Sequence, residues 1–129
     1  MKNEFVVSTT LKATPEKVFR AWLSTDGHAA MTGNPAKVEP RVGGTFSAWD
    51  GYISGKTLQL KPYTHILQAW RTTEFPEGSP DSQVEIVLEA VEAGTKLTLT
   101  HTNIPEGQAE EYKKGWEDFY FKPMKEYFK

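Results

Sequence analysis

Cysteine is absent from this sequence of 129 residues. Its absence excludes a disulfide framework, a thiolate nucleophile and any metal site with sulfur ligands. No apolar run approaches the roughly eighteen residues that a transmembrane helix needs, so we expect no membrane span. Residues 1–4 lead directly into a strand-like run without the apolar segment of a signal peptide, which predicts a cytoplasmic protein.

A strong excess of either charge is also missing. Lysine and arginine together number 15, aspartate and glutamate 17, and the net charge is −2 with neutral histidine. Binding of nucleic acid needs a basic surface, so no nucleic acid partner is expected. The 38% hydrophobic and 25% charged residues are typical of a globular protein, and the length suits a single domain over residues 1–129.

Motifs for catalysis, metal binding and phosphate binding are equally scarce. The three histidines lack metal-ligand spacing, and neither an HExxH nor a GxSxG motif occurs. Gly43-Gly44 is not followed by the lysine and helix of a phosphate-binding loop. Arg41 and Arg71 are candidates to hold an anionic ligand, although a surface arginine more often pairs with a nearby acid. We expect no catalytic residue, no metal and no cofactor.

His101 is the strongest polar candidate for a functional role. It continues the alternation of Leu97 and Leu99, so its imidazole is expected to face the covered side of a sheet, where it could orient a ligand or carry a proton. The simpler interpretation is a hydrogen-bonded histidine near the sheet rim. His28 and His65 are expected to be exposed to solvent, as are three acids in a Pro/Gly loop: Glu74, Glu77 and Asp81.

Hydrophobic periodicity divides the chain into one strand, two helices, six strands and a long final helix. Thr14 followed by Pro15 is typical of a helix start, and Ser24 or Thr25 is expected to cap the second helix. Asp50-Gly51 predicts a two-residue hairpin turn. The predicted strands cover residues 5–11, 37–39, 45–49, 52–60, 65–72, 83–90 and 96–102, and Gly55 predicts a bulge or a close approach within the fourth.

The final segment, residues 106–128, has the pattern of a long amphipathic helix. At 100° per residue, its large residues fall on one stripe that must be covered. Pro123 removes a backbone hydrogen bond and crowds the carbonyl of Phe119, at a cost of about 3 kcal/mol. We therefore expect a bend or break there. The stripe consists of Tyr112, Trp116, Phe119, Tyr120, Pro123 and Tyr127.

These elements predict an α+β fold in which a curved, seven-stranded antiparallel sheet wraps around the long C-terminal helix, with two short helices after the first strand. A sheet that curves around one helix rarely closes without leaving space, so a cavity is expected between them. Ten residues are candidates to line it, although the aromatic ones would equally suit a packed core. They are Trp22, Phe46, Trp70, Ile86, Leu99, His101, Tyr112, Trp116, Phe119 and Tyr120.

Several segments resemble the START-like superfamily of helix-grip proteins, and they occur here in the same order and spacing. Within that superfamily the sequence is most similar to the C-terminal domain of the activators of heat-shock-protein-90 ATPase, over nearly the whole chain. The resemblance implies a helix-grip fold. The segments are ATPEKVF at residues 13–19, GGTF at 43–46, YISGKTLQLKP at 52–62, ILQAWR at 66–71, TLTH at 98–101, Ile104-Pro105, Gly115-Trp116 and Tyr120-Phe121.

Three functions follow from the residues and the resemblance together. The first is non-enzymatic binding of a small hydrophobic molecule, such as a lipid, between sheet and C-terminal helix. The second is stimulation of a chaperone ATPase in the stress response. The eukaryotic activator carries a separate N-terminal chaperone-binding domain, for which 129 residues leave no room, and this departure counts against the second function. The third is a cyclase or hydrolase that uses His101 as acid and base.

Overall fold

Seven strands form one antiparallel sheet in a computed structural model that describes residues 3–129. Met1 and Lys2, part of the expectation about the N-terminus, lie outside the described residues. Within residues 3–129, no helix is both long enough and apolar enough to cross a membrane. The strands are β1 Phe5–Leu11, β2 Ala36–Val38, β3 Thr45–Ala48, β4 Ile53–Lys61, β5 His65–Thr72, β6 Ser82–Val91 and β7 Gly94–Thr102, in the spatial order β1-β7-β6-β5-β4-β3-β2.

Two short helices follow β1, as predicted: α1 Pro15–Trp22 and α2 Thr25–Thr32. Each begins with a side-chain cap, since the Thr14 hydroxyl accepts from an amide three residues on, at 3.3 Å, and the Ser24 hydroxyl does the same at 2.9 Å. The final helix has three consecutive parts, together called the C-terminal helix. They are α3 Ala109–Gly115, a π-helical segment Trp116–Phe121 and α4 Lys122–Tyr127.

The irregularity expected near Pro123 takes the form of a π-helical turn, and the helix does not break. The Lys122 amide donates to the carbonyl of Glu117, five residues back, instead of four as in an α-helix. The backbone angles remain helical at Phe121 and Lys122. Because proline has no amide hydrogen, the hydrogen-bond ladder has to be rearranged around it, and the wider turn lies directly before it.

The π turn changes which side chains the C-terminal helix buries, because each residue in it advances by less than 100° around the axis. Phe121 is 4% exposed, although regular periodicity places it opposite Tyr112. Phe119 is 57% exposed and Tyr127 50%, so their placement on the covered stripe was wrong. The remaining aromatic residues of the stripe are buried as predicted: Tyr112, Trp116 and Tyr120.

The β3–β4 hairpin loop has four residues, and the predicted two-residue turn was wrong. Ala48 pairs with Ile53 across the loop. Trp49, Asp50 and Gly51 have positive φ angles of 55°, 57° and 87°. A positive φ is unfavourable for a residue as bulky as tryptophan, so contacts elsewhere must hold Trp49 in place.

Gly55 in β4 lies in close contact with its surroundings, as its position predicted. A Cβ atom there would lie 1.9 Å from the carbonyl oxygen of Ala69 and 2.7 Å from the ring of Phe46. The bulge of β4 is elsewhere, between Thr57 and Gln59. Only a residue without a side chain therefore fits at this point of the sheet.

We expect Gly55→Ala to lower the free energy of unfolding by about 1–3 kcal/mol, because the added methyl group forces backbone to move. Gly115→Ala is the matched control. Its new Cβ would lie 3.9 Å from the nearest atom, and alanine favours a helix by up to about 1 kcal/mol over glycine. Urea unfolding followed by circular dichroism measures both variants. Equal stability of the two would contradict the close approach at Gly55.

Candidate functional site

A pocket of about 310 Å³ opens between the C-terminal helix and the part of the sheet formed by β4, β5 and the β3–β4 loop. This volume is at the lower end of the roughly 300–1,000 Å³ of small-molecule sites. Five of its lining residues are among the predicted candidates: Trp70, Tyr112, Trp116, Phe119 and Tyr120. Five others were not predicted: Trp49, Tyr52, Ile53, Glu111 and Gly115.

The other five candidates are buried in the core and do not line the pocket: Trp22, Phe46, Ile86, Leu99 and His101. Two of them support its walls from behind. The ring centroid of Trp22 lies 5.2 Å from that of Tyr120, and His101 lies 4.6 Å from Trp70. For these positions the alternative interpretation, a packed core, describes the geometry.

His101 connects β7 to the C-terminal helix from a fully buried position. The Trp116 indole N–H donates to its Nδ1 at 3.1 Å. Because an indole nitrogen can only donate, Nε2 carries the ring proton and donates to Ser82 Oγ at 2.8 Å. The Ser82 hydroxyl in turn donates to the carbonyl of Trp70 at 2.7 Å. Burial lowers the pKa of His101 to about 3, so the ring is neutral near pH 7.

This geometry bears directly on the third predicted function. His101 faces inward, as its alternation with Leu99 predicted. Both ring nitrogens are nevertheless engaged by protein groups, and neither lines the pocket. A general acid and base has to exchange a proton with the substrate, which this imidazole cannot reach. The structure therefore supports a role for His101 in positioning Trp116.

His28 makes a second link to the C-terminal helix, and its predicted exposure to solvent was wrong. It is 3% exposed. Its Nδ1–H donates to the carbonyl of Trp22 at 2.9 Å, so Nε2 accepts from the Tyr120 hydroxyl at 2.7 Å. Burial lowers the pKa of His28 as well. The neutral ring holds α2 against the C-terminal helix and fixes the orientation of Tyr120 in the pocket wall.

Two carboxyl groups lie together at the mouth of the pocket. Glu111 lines the pocket, and its carboxyl lies beside that of Glu74. The Tyr52 hydroxyl donates to Glu74. The contact with Glu74, partial burial and repulsion between the two charges raise the pKa of Glu111. Glu74 is exposed as predicted, but it belongs to this cluster and is not simply solvated.

The two arginines considered for an anionic ligand lie outside the pocket lining. Arg41 pairs with Glu39 at 3.5 Å, and Arg71 pairs with Asp81 at 2.6 Å. Both therefore follow the simpler interpretation, an arginine paired with a nearby acid. The mouth of the pocket receives no positive charge from them.

Trp49 was not predicted to line the pocket because its side chain does not follow the inward and outward alternation of the strand before it. The positive φ of this residue turns the ring towards the C-terminal helix, where its centroid lies 5.4 Å from that of Phe119. Phe119 is thus exposed on one side and packed on the other, and the two rings form a rim of the pocket. The Asp50-Gly51 motif marked the hairpin but contained no signal for this side-chain direction.

A seven-stranded antiparallel sheet that wraps around a C-terminal helix, with a pocket between them, defines a helix-grip α+β domain. Comparison with known proteins identifies the family of this domain. The chain belongs to the family described as "Activator of Hsp90 ATPase homolog 1-like protein", whose model matches residues 12–129. The resemblance found in the sequence is confirmed.

Relatives and solved structures agree with this assignment. The human "Activator of 90 kDa heat shock protein ATPase homolog 1" is 29% identical over 125 residues, which are 97% of this chain but 37% of that protein. The crystal structure of an HSP90 activator from Plasmodium falciparum has a TM-score of 0.86 and 28% identity, and the match covers 96% and 94% of the two chains. A protein from Chromobacterium violaceum has a TM-score of 0.78 and 26% identity, with 98% and 96% covered.

The neutral state of the two buried histidines predicts a pH dependence of stability. Burial lowers the folded-state pKa values of both histidines. Their contribution to the free energy of unfolding is therefore complete above the ordinary histidine pKa of about 6.5, and it is lost as the pH falls below that value. His101 should reduce the unfolding free energy by about 1.4 kcal/mol per pH unit below that value, and His28 should change it in the same direction. Urea unfolding at pH 7.5, 6.5 and 5.5 measures the slope. Ring signals of both histidines that titrate near pH 6.5 in NMR spectra would contradict it.

Proposed function

We propose that this protein binds a small apolar molecule in the pocket between the sheet and the C-terminal helix, without catalysing a reaction. The observation that carries the proposal is the pocket itself, with its aromatic walls and a volume of about 310 Å³. A space of this size suits a molecule of one or two rings better than a complete diacyl lipid. Pockets of this kind are the usual sites of small ligands.

The walls of the pocket are held in position before any ligand arrives. Hydrogen bonds to the two buried histidines fix Trp116 and Tyr120. Tyr112, a third wall residue, donates to Gln108 at 2.5 Å and also bonds Thr72 at 2.7 Å. A ligand therefore would not need to order these rings on binding, which removes part of the entropic cost of association.

We expect the neutral fluorescent probe N-phenyl-1-naphthylamine to bind and to quench tryptophan fluorescence, because Trp49, Trp70 and Trp116 line the pocket. Gly115→Leu should weaken binding at least about tenfold, since the new side chain occupies the pocket without removing any core atom. Lys114→Leu is the matched control: it adds the same side chain at the adjacent exposed position, which does not line the pocket.

Fluorescence titration of the three proteins gives the dissociation constants, and urea unfolding checks that each variant is folded. Failure of the parent protein to bind the probe would remove the main support for ligand binding. Unchanged binding in the Gly115→Leu protein would show that the probe binds outside the pocket.

A second proposed function is contact with a chaperone of the Hsp90 class, in the cytoplasm and in the response to stress. It is favoured by membership of the activator family and by the names of the human and Plasmodium relatives. The chain spans 37% of the human relative, so the activity of that whole protein is carried over here only as a proposal.

An ATPase assay with the host's own Hsp90 tests this second function. We expect stimulation that saturates with added protein, and we expect the Gly115→Leu protein to stimulate equally, because the substitution fills an internal pocket. A lack of stimulation at saturating protein would count against chaperone contact. Loss of stimulation in the Gly115→Leu protein alone would instead connect the pocket with the chaperone.

A further inference from the structure

The mouth of the pocket carries negative charge from Glu111 and Glu74, and neither carboxylate forms an ion pair within residues 3–129. Among the described residues that line the pocket, Glu111 is the charged one, and its carboxyl contacts that of Glu74. Arg71 follows the wall residue Trp70 in sequence but is engaged with Asp81. A ligand with its own carboxylate, such as a fatty acid, would therefore be repelled at this mouth.

The interior walls favour positive charge for a different reason. Ring centroids lie 4.7 Å apart for Trp116 and Tyr120, 5.6 Å for Trp70 and Trp116, and 5.4 Å for Trp49 and Phe119. The face of an aromatic ring attracts a cation within about 6 Å of its centroid, most strongly for tryptophan. These distances show that the wall rings pack against one another, so a cation in the space that they line would lie beside several rings at once without a direct ion pair.

The polar atoms of the walls lead to the same conclusion. The Tyr112 hydroxyl donates to Gln108, and the Trp116 indole and Tyr120 hydroxyl donate to the buried histidines. These donors are already used within the protein. A ligand that enters therefore cannot accept a hydrogen bond from these three groups, and at the mouth it meets carboxylate oxygens that accept hydrogen bonds.

We propose that the ligand of this pocket is a small organic cation, an amine or quaternary ammonium compound with an aromatic or alkyl body. The body lies in the space that the rings line, and the ammonium group lies near the mouth beside Glu111 and Glu74. This inference rests on the proposed binding function and specifies its ligand class. A cation at this point also relieves the repulsion between the two carboxylates.

Three probes of similar size separate the effect of charge on binding from the effect of shape. Benzyltrimethylammonium is the cation, neopentylbenzene is its neutral isostere with carbon in place of nitrogen, and 4-phenylbutyrate is the anion. We expect the cation to bind about fivefold more tightly than the neutral isostere, as cation–π attraction allows, and the anion to bind most weakly. Tryptophan quenching at low salt gives the three dissociation constants.

Glu111→Gln tests the carboxylate at nearly constant size. It should weaken binding of benzyltrimethylammonium about threefold, as expected for a partly exposed ion pair, and leave binding of neopentylbenzene unchanged. Glu110→Gln is the control, because it removes the same charge from the adjacent exposed residue, which does not line the pocket. Gly115→Leu should weaken both the cation and the neutral probe.

The outcomes distinguish this inference from the function on which it rests. If the neutral probe binds as tightly as the cation, or if the anion binds most tightly, the proposal of a cationic ligand is wrong. Binding of a ligand in the pocket would still stand. Cation binding that survives Gly115→Leu would place the cation on the acidic surface and also overturn the inference. If none of the probes binds, including N-phenyl-1-naphthylamine, both proposals fail together.

Discussion

Two buried, neutral histidines fasten the C-terminal helix to the rest of the molecule. On the sheet, His101 accepts a hydrogen bond from the Trp116 indole. On α2, His28 accepts a hydrogen bond from the Tyr120 hydroxyl. Without these partners, two polar groups in an apolar core would remain unsatisfied, at a cost of about 1–3 kcal/mol each. The same hydrogen bonds orient two walls of the pocket, so the shape of the pocket depends on how the helix is docked.

The pocket exists because large rings surround a position that has no side chain. Gly115 leaves open space on the inner side of the helix, and Trp116 directly after it is drawn away by its bond to His101. The π turn then directs Phe119 outward, where it meets the ring of Trp49. The two rings pack edge to face against each other at the rim, and Trp49 also packs against Tyr120. An aromatic stripe that would otherwise be continuous core thus contains a gap of molecular size.

The sequence predicted most of the fold and about half of the pocket lining, for identifiable reasons. In strands such as the one containing Leu99, buried and more exposed side chains alternate strictly, and the cap at Thr14 involves residues close in sequence. Both features could therefore be predicted from the local sequence. His28 was misjudged because its burial depends on Tyr120, 92 residues away. Trp49 and Phe119 were misplaced because a positive φ and a π turn alter side-chain direction, and periodicity assumes regular backbone.

The π turn also determines what a change in the length of this helix would do. A π turn is equivalent to an α-helix that has gained one residue. Deletion of one residue within 116–121 would therefore give a continuous α-helix in which the residues after it keep nearly their present direction. Met124, which is fully buried, would stay in the core. The cost would instead fall at Pro123, because its ring crowds the carbonyl four residues back once the wider turn is gone. The extra residue thus gives the helix the turn that accommodates its proline.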